Sequence, residues 1–133
     1  MQIFLKLMSN KVKYTCEFPI RCSPHVLYDF FITANGLAEW FAEHVDQNQN
    51  EYTFTWSGST EKAVLIESHH DEFVKYRWDW MGKGEYFEFR IEQNDLTGNT
   101  LIIVTDFADK KEVNDQIQLW ETQLTELKHR IGS

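Results

Sequence analysis

The sequence predicts an α+β domain in which an antiparallel β-sheet is covered by one long C-terminal helix. Apolar residues recur at every second position over residues 11–18 and again through much of residues 52–107, which is the period of half-buried strands. Over residues 111–131 they recur at spacings of three and four, which is the period of an amphipathic helix. Short turns separate the later strands, so neighbouring strands should pair antiparallel.

Composition excludes several classes of protein. The 133 residues suit one domain, and they include 10 Phe, 5 Trp and 5 Tyr with a net charge of -8. Binding to nucleic acid or to an anionic membrane surface needs a clustered positive charge, which this balance does not provide. No apolar run approaches the roughly 20 residues that cross a bilayer. We therefore expect neither nucleic-acid nor membrane partners.

The N-terminus is predicted to be a flexible extension over residues 1–10, followed by a single domain over residues 11–133. Lys6 interrupts the short apolar run and no small-residue cleavage site follows it, so we expect no secretory signal. Met8 is an alternative start. Cys16 and Cys22 match no metal or redox spacing, which favours a reduced, cytoplasmic protein.

The first elements are a strand and two short helices. Residues 11–18 alternate as a strand that Pro19 should end, and Ser23-Pro24 forms a typical start for a helix over residues 24–32. Asn35-Gly36 predicts a break before a second short helix.

Period-two strands and one long helix follow. The strands are predicted over residues 52–56, 60–69, 73–80, 85–92 and 101–107. The closing helix, over residues 111–131, carries one apolar stripe formed by Val113, Ile117, Trp120, Leu124, Leu127 and Ile131. The same stripe could form a coiled-coil seam and a dimer, but the sheet needs a cover for its apolar face, which favours packing on the sheet.

This order of elements resembles the helix-grip fold of the START-like (SRPBCC) superfamily. Three segments are similar to homologues of the activator of heat-shock-protein ATPase: TANGLAEWF at 33–41, NTLIIVTDF at 99–107 and LWETQLTELK at 119–128. Leu119 stands where that family usually has glycine, and residues 68–73 lack its proline. The resemblance therefore indicates a divergent branch.

The resemblance implies a cavity between the curved sheet and the long helix that holds a small apolar or amphipathic molecule. Aromatic and apolar candidates for its lining are Trp40, Phe41, Trp56, Trp78, Phe89, Phe107, Trp120 and Leu124. The alternative for each of these side chains is a plain packing role in the core.

Four charged residues are candidates for polar contacts with the ligand. Arg77 and Arg90 could hold a carboxylate if they point inward; the alternative, which base rates for buried arginine favour, is a cross-strand ion pair on the outer face. Glu67 and Asp106 are flanked by apolar strand residues. If buried, either carboxyl would have a raised pKa and could act as a general base; the alternative is an exposed position on the outer face.

No metal site, cofactor site or catalytic set is predicted. His69 and His70 are adjacent, so on a strand they would point to opposite faces, and His44 with Asp46 offers only two ligands on one face. No HExxH, nucleophile-elbow or phosphate-loop motif occurs in the sequence.

Three functions remain open. The first is a non-enzymatic carrier or sensor of a small hydrophobic or amphipathic molecule. The second is a regulatory module that binds another protein, as activators of chaperone ATPases do, with an acidic surface that meets a basic patch. The third is a cyclase- or hydrolase-like enzyme, for which no acid–base pair is recognisable. Exposed sheet edges leave room for a homodimer.

Overall fold

An antiparallel sheet and a long C-terminal helix form the fold, which confirms the predicted class. The computed structural model describes residues 11–94 and 96–132, so the predicted extension over residues 1–10 lies outside the described residues. The strands are β1 (Lys11–Ile20), β2 (His44–Asn48), β3 (Glu51–Trp56), β4 (Ser59–His69), β5 (Phe73–Trp78), β6 (Phe87–Gln93) and β7 (Thr100–Asp109). The helices are α1 (Pro24–Ile32), α2 (Ala34–Ala38) and, after a 3-10 turn at Lys110–Glu112, α3 (Val113–Ile131).

The strand order is β1-β7-β6-β5-β4-β3-β2 with every neighbouring pair antiparallel, as the short turns predict. Alternate side chains point to one inner face, and those in the middle of the sheet are almost fully buried. These inner-face residues include Tyr52, Phe54, Ala63, Val74, Tyr76, Phe87, Phe89, Ile102 and Val104.

Helix α3 covers this inner face and lies against β1 and β7. Trp120, Leu124 and Leu127 of its apolar stripe are buried, so the stripe packs on the sheet of the same chain rather than serving as an exposed coiled-coil seam. Gly132 ends the helix with a φ of 83°, and its N–H donates to the carbonyls of Lys128 and His129. Glycine adopts this left-handed conformation at little cost.

Helix α1 is positioned by its cap and by two tyrosines of the sheet. Ser23 is the N-cap, and its Oγ accepts from the N–H of Val26 at 3.3 Å. At the other end, the hydroxyl of Tyr52 donates to the Ile32 carbonyl at 2.6 Å, and that of Tyr76 donates to the Phe31 carbonyl. These bonds satisfy carbonyls that have no partner at a helix C-terminus, so the buried hydroxyls fix where α1 ends.

The predicted break between the two short helices is wrong by two residues. Asn35 and Gly36 lie inside α2, and the break falls at Thr33. Thr33 serves both helices, because its N–H donates to the Asp29 carbonyl while its Oγ1 accepts from the Gly36 N–H at 2.8 Å. A single threonine that closes one helix and starts the next leaves no room for a longer linker.

Several strand ends also differ from the prediction, notably in β1 and around the β5–β6 connection. Pro19 does not end β1, which continues to Ile20; β1 is an edge strand, where a residue without an N–H is tolerated. The connection after β5 is longer than the alternation suggests: β5 ends at Trp78 and β6 begins at Phe87. In that connection Arg77 Nε donates to the Glu85 carbonyl at 2.8 Å, which holds the turn against β5.

Candidate functional site

A cavity of about 580 Å³ lies between the N-terminal half of α3 and the sheet. We call it the tryptophan cavity, because Trp56, Trp78, Trp80 and Trp120 line it together with Phe41. Its volume is within the range of small-molecule sites. The other lining residues are Ser59, Glu61, Asp106, Phe107, Ala108, Glu112, Gln116, Leu119 and Gln123.

Phe41 connects β3 and α3 in the cavity wall through its carbonyl and its ring. Its carbonyl accepts from Trp56 Nε1 of β3 at 3.0 Å and from Gln123 Nε2 of α3 at 3.1 Å. The Phe41 ring stacks on Trp120, with centroids 5.9 Å apart and planes 12° apart. Because side chains from the sheet and from α3 converge on this one residue, the wall is fixed by both layers.

Trp80 forms the mouth of the cavity. Its side chain is half exposed, and its ring stacks on Trp78 with centroids 6.2 Å apart and planes 8° apart. Its Nε1 donates to Glu61 Oε1 at 2.6 Å. The stack and the hydrogen bond together hold an exposed indole in place beside the opening.

Asp106 places a buried carboxylate in the wall. It lies on the inner face of β7 and is 8% exposed. Its Oδ1 accepts from the Phe107 N–H at 2.7 Å, and its Oδ2 accepts from Trp120 Nε1 at 3.2 Å and from the Tyr14 hydroxyl at 3.4 Å. The group therefore joins β1, β7 and α3 at one point.

Burial raises the pKa of the Asp106 carboxyl from 3.8 to about 6, because the charged form loses hydration. The hydrogen bonds from Phe107, Trp120 and Tyr14 and the positive charge of Lys11 offset part of this shift. Burial, with the nearby Asp106 carboxylate, also raises the pKa of the Tyr14 phenol. At neutral pH the cavity thus contains a largely ionised carboxylate beside a protonated phenol.

We predict that the stability of the wild type relative to an Asp106→Asn variant is greater in mild acid than at neutral pH. Because the folded-state pKa is higher than the unfolded one, the native state binds a proton that the unfolded chain does not bind between pH 4 and 6. The contribution to stability is therefore greatest below pH 4 and is lost as the pH rises through 6, by about 3 kcal/mol in total.

Urea unfolding of both proteins between pH 4 and 8 measures this effect, since other titrating groups cancel in the difference. As the pH rises, the unfolding free energy of the wild type should fall relative to that of Asp106→Asn. Parallel stability curves would show that Asp106 titrates normally.

The structure brings together six of the twelve residues proposed from the sequence. Phe41, Trp56, Trp78, Phe107, Trp120 and Asp106 line the cavity. Trp40, Phe89 and Leu124 lie in the core beneath it and do not line it. Trp40 is held there by a bond from its Nε1 to the Phe30 carbonyl at 2.9 Å. The alternation of apolar residues identifies the inner face of the sheet, but it does not show which residues border the cavity.

The other three proposed residues lie on the outer face of the sheet. Arg90 pairs with Glu88 at 3.0 Å and its guanidinium lies 4.4 Å from the centre of the Phe73 ring, while Arg77 holds the Glu85 carbonyl. Glu67 pairs with Lys75 at 3.4 Å. A bulge between Leu65 and Glu67 shifts the register, so Glu67 opposes Lys75 on the outer face although regular alternation would place it inward.

Sequence reasoning missed several lining residues, among them Trp80, Glu61 and Glu112. The alternation of Val74, Tyr76 and Trp78 extends to Trp80 and could have indicated it. Nothing local marks Glu61 or Glu112, because each reaches the cavity only through the packing of α3 on the sheet.

Histidines lie away from the cavity. His44 and Asp46 share an exposed face of β2, 3.5 Å apart. His25 of α1 and His70 of the β4–β5 turn each place a ring nitrogen 3.3 Å from Asp71 Oδ1. These three groups are close enough to share an ion, and spacing along the sequence could not reveal them because they come from distant segments.

A second depression, of about 540 Å³, lies at the other end of α3. Its described lining is Pro19, Ile20, Arg21, Asn99, Lys128, Ile131 and Gly132, none of which is aromatic. The tryptophan cavity is the better candidate site, because ligand pockets are mostly lined by apolar and aromatic side chains with a few placed polar groups.

The fold is that of a helix-grip domain, in which a curved sheet holds a long helix and a cavity lies between them. The chain belongs to the START-like superfamily: the model of the START-like superfamily domain matches residues 8–133. No curated protein matches the chain. No helix among the described residues has the length and apolarity to span a membrane.

Solved structures share this fold. BfR322 from Bacteroides fragilis is 27% identical, with a TM-score of 0.67 and 92% of each chain covered. The Aha1 dimer from Colwellia psychrerythraea is 17% identical, with a TM-score of 0.74 and coverage of 88% of this chain and 93% of the other. MLL2253 from Mesorhizobium loti is 10% identical, with a TM-score of 0.74 and coverage of 91% and 97%. The expected START-like superfamily is confirmed.

Proposed function

We propose that this protein binds a small hydrophobic or amphipathic molecule in the tryptophan cavity, as a carrier or sensor. The observation that carries the proposal is a space of about 580 Å³ walled by four tryptophans and two phenylalanines, with one buried carboxylate. Rings with fixed hydrogen bonds present apolar area at low cost in conformational entropy. The START-like superfamily is known for ligand binding in such a cavity, which supports the same function.

Intrinsic fluorescence is a direct test, because four of the five tryptophans line the cavity. Titration with 1-decanol should change the emission in a saturable way. Native mass spectrometry of the purified protein should show any molecule that co-purifies. Unchanged emission together with a ligand-free mass would contradict the proposal.

Trp80→Ala should weaken the binding of 1-decanol about tenfold, since a ring that borders the ligand contributes on the order of 1.4 kcal/mol. The loss in unfolding free energy should stay below about 1 kcal/mol, because the side chain is 56% exposed. Leu96→Ala is the control: Leu96 is 96% exposed and lies in the β6–β7 turn, outside the cavity. Equal affinities for the two variants would place the ligand elsewhere.

A regulatory protein–protein role is the second candidate. The structural likeness to the Aha1 dimer from Colwellia psychrerythraea and the net charge of -8 favour it. An acidic surface would attract a basic partner, and salt would weaken the encounter. Capture of a defined partner at low salt that is lost at high salt supports this role. Sedimentation analysis tests a homodimer through the edge strands β1 and β2.

An enzyme of the cyclase or hydrolase type has one supporting feature. A carboxyl with a pKa of about 6, as at Asp106, is suited to general-base catalysis. The proposed cytoplasmic location is supported by the two free thiols, Cys16 and Cys22.

A further inference from the structure

The charged residues in the described lining of the tryptophan cavity are all acidic. Glu61, Asp106 and Glu112 are carboxylates, and the described lining contains no Lys, Arg or His. Lys11 lies near the mouth, outside the lining, where it pairs with Glu85 at 3.6 Å. A ligand that enters the cavity therefore meets three carboxylates and one peripheral ammonium that already has a partner.

Among residues 11–94 and 96–132, no cationic group contacts the buried carboxylate of Asp106. The hydrogen bonds to Asp106 come from a phenol, an indole and a backbone N–H, all of them neutral donors. No ion pair to Asp106 is present among the described residues; the positive charge of Lys11 acts on it only from a distance. A buried carboxylate without a counter-ion is costly, and a cation placed beside it would relieve that cost.

The aromatic walls favour the same charge. The face of an indole ring is negative and attracts ammonium groups within about 6 Å of its centre. The chain already shows this contact at the mouth, where Lys11 Nζ lies 5.3 Å from the centroid of Trp80. Four indoles and a carboxylate around one space are the elements of an aromatic cage for an organic cation.

We propose that the ligand of the tryptophan cavity is an organic cation: an amine or quaternary ammonium group on an apolar body. This inference rests on the proposed function and specifies its ligand class. The apolar part lies against the rings, and the cationic group lies near Asp106. An anionic amphiphile is disfavoured because it would face three carboxylates.

Three probes with the same alkyl chain separate charge from apolar binding: decyltrimethylammonium, 1-decanol and decyl sulfate, each below its aggregation concentration. Fluorescence titration should give an affinity for the ammonium at least about tenfold tighter than for the alcohol, which corresponds to about 1.4 kcal/mol. The sulfate should bind more weakly than the alcohol.

Asp106→Asn should reduce the affinity for decyltrimethylammonium about tenfold, and the affinity for 1-decanol by a clearly smaller factor. Glu67→Gln is the matched control, because it removes the same charge from an exposed residue on the outer face. It should leave all three affinities within about twofold. Circular dichroism confirms that both variants are folded.

The outcomes distinguish the two proposals. Failure of all three probes, together with a ligand-free mass of the purified protein, overturns the binding function itself. Equal affinity for the ammonium and the alcohol, or tightest binding of the sulfate, overturns the cationic ligand but leaves apolar binding in place. An equal loss in Asp106→Asn and Glu67→Gln shows a general effect of net charge and also overturns the inference.

Discussion

Phe89→Ala is expected to lower the free energy of unfolding by about 3–5 kcal/mol, the usual cost of truncating a fully buried aromatic residue. Phe89 has no exposed surface, and its ring centroid lies 4.9 Å from that of Phe31, 5.4 Å from Trp40 and 5.6 Å from Trp120. The side chain therefore joins α1, the sheet and α3. A loss of this size removes much of the 5–15 kcal/mol that stabilises a typical domain.

Urea unfolding followed by circular dichroism measures the loss, and Phe89→Leu provides a milder variant if the alanine variant does not fold. Trp80→Ala is the matched aromatic truncation, with an expected stability loss below about 1 kcal/mol. The two variants should thus differ: Phe89→Ala should mainly lower stability, whereas Trp80→Ala should mainly lower ligand affinity. A Phe89→Ala variant within about 1 kcal/mol of the wild type would show that the ring is not a core element.

Gly36→Ala is expected to cost about 3 kcal/mol or more, at the upper end of overpacking effects. A Cβ at this position would lie 2.2 Å from the Asp29 carbonyl oxygen and 2.7 Å from both Phe30 Cα and Thr33 Oγ1. Two of these atoms are backbone, so the methyl group can be accommodated only if α1 and α2 move apart. That movement would also break the hydrogen bond from the Gly36 N–H to Thr33.

Gly82→Ala is the control for the same substitution. The three nearest atoms to a Cβ there belong to the Glu85 carboxylate, at 3.6 Å or more, which is ordinary van der Waals contact. Its stability should stay within about 0.5 kcal/mol of the wild type. Thermal and urea unfolding of both variants compare them directly. Equal stability of the two variants would mean that α1 and α2 are not in close contact at Gly36.

The sequence explains Gly36 only in part. Asn35-Gly36 is a typical turn signal, and the prediction of a break there follows from glycine's backbone freedom. In the folded chain this glycine has an ordinary helical position, and its small size is what matters, because the main chain of α1 approaches it. A close approach between two segments has no local signature.

Asp106 and Glu67 show that the sequence has the same limit in predicting the site. Both are carboxylates flanked by apolar strand residues, and the sequence offers the same two alternatives for each. The structure buries Asp106 in the cavity and places Glu67 on the outer face. The difference arises from one extra residue in β4, which reverses the alternation before Glu67.

The sequence alone establishes the class of fold, because the periods of two and of three to four depend only on which residues along the chain are apolar. It also determined the closing helix with its Gly132 cap, and an aromatic inner face. Tertiary packing determines which rings fill the core and which border the cavity, and it brings only acidic residues among the charged ones to the described lining. Those properties depend on the distance between α3 and the sheet and on register, which arise when segments far apart in the chain pack together.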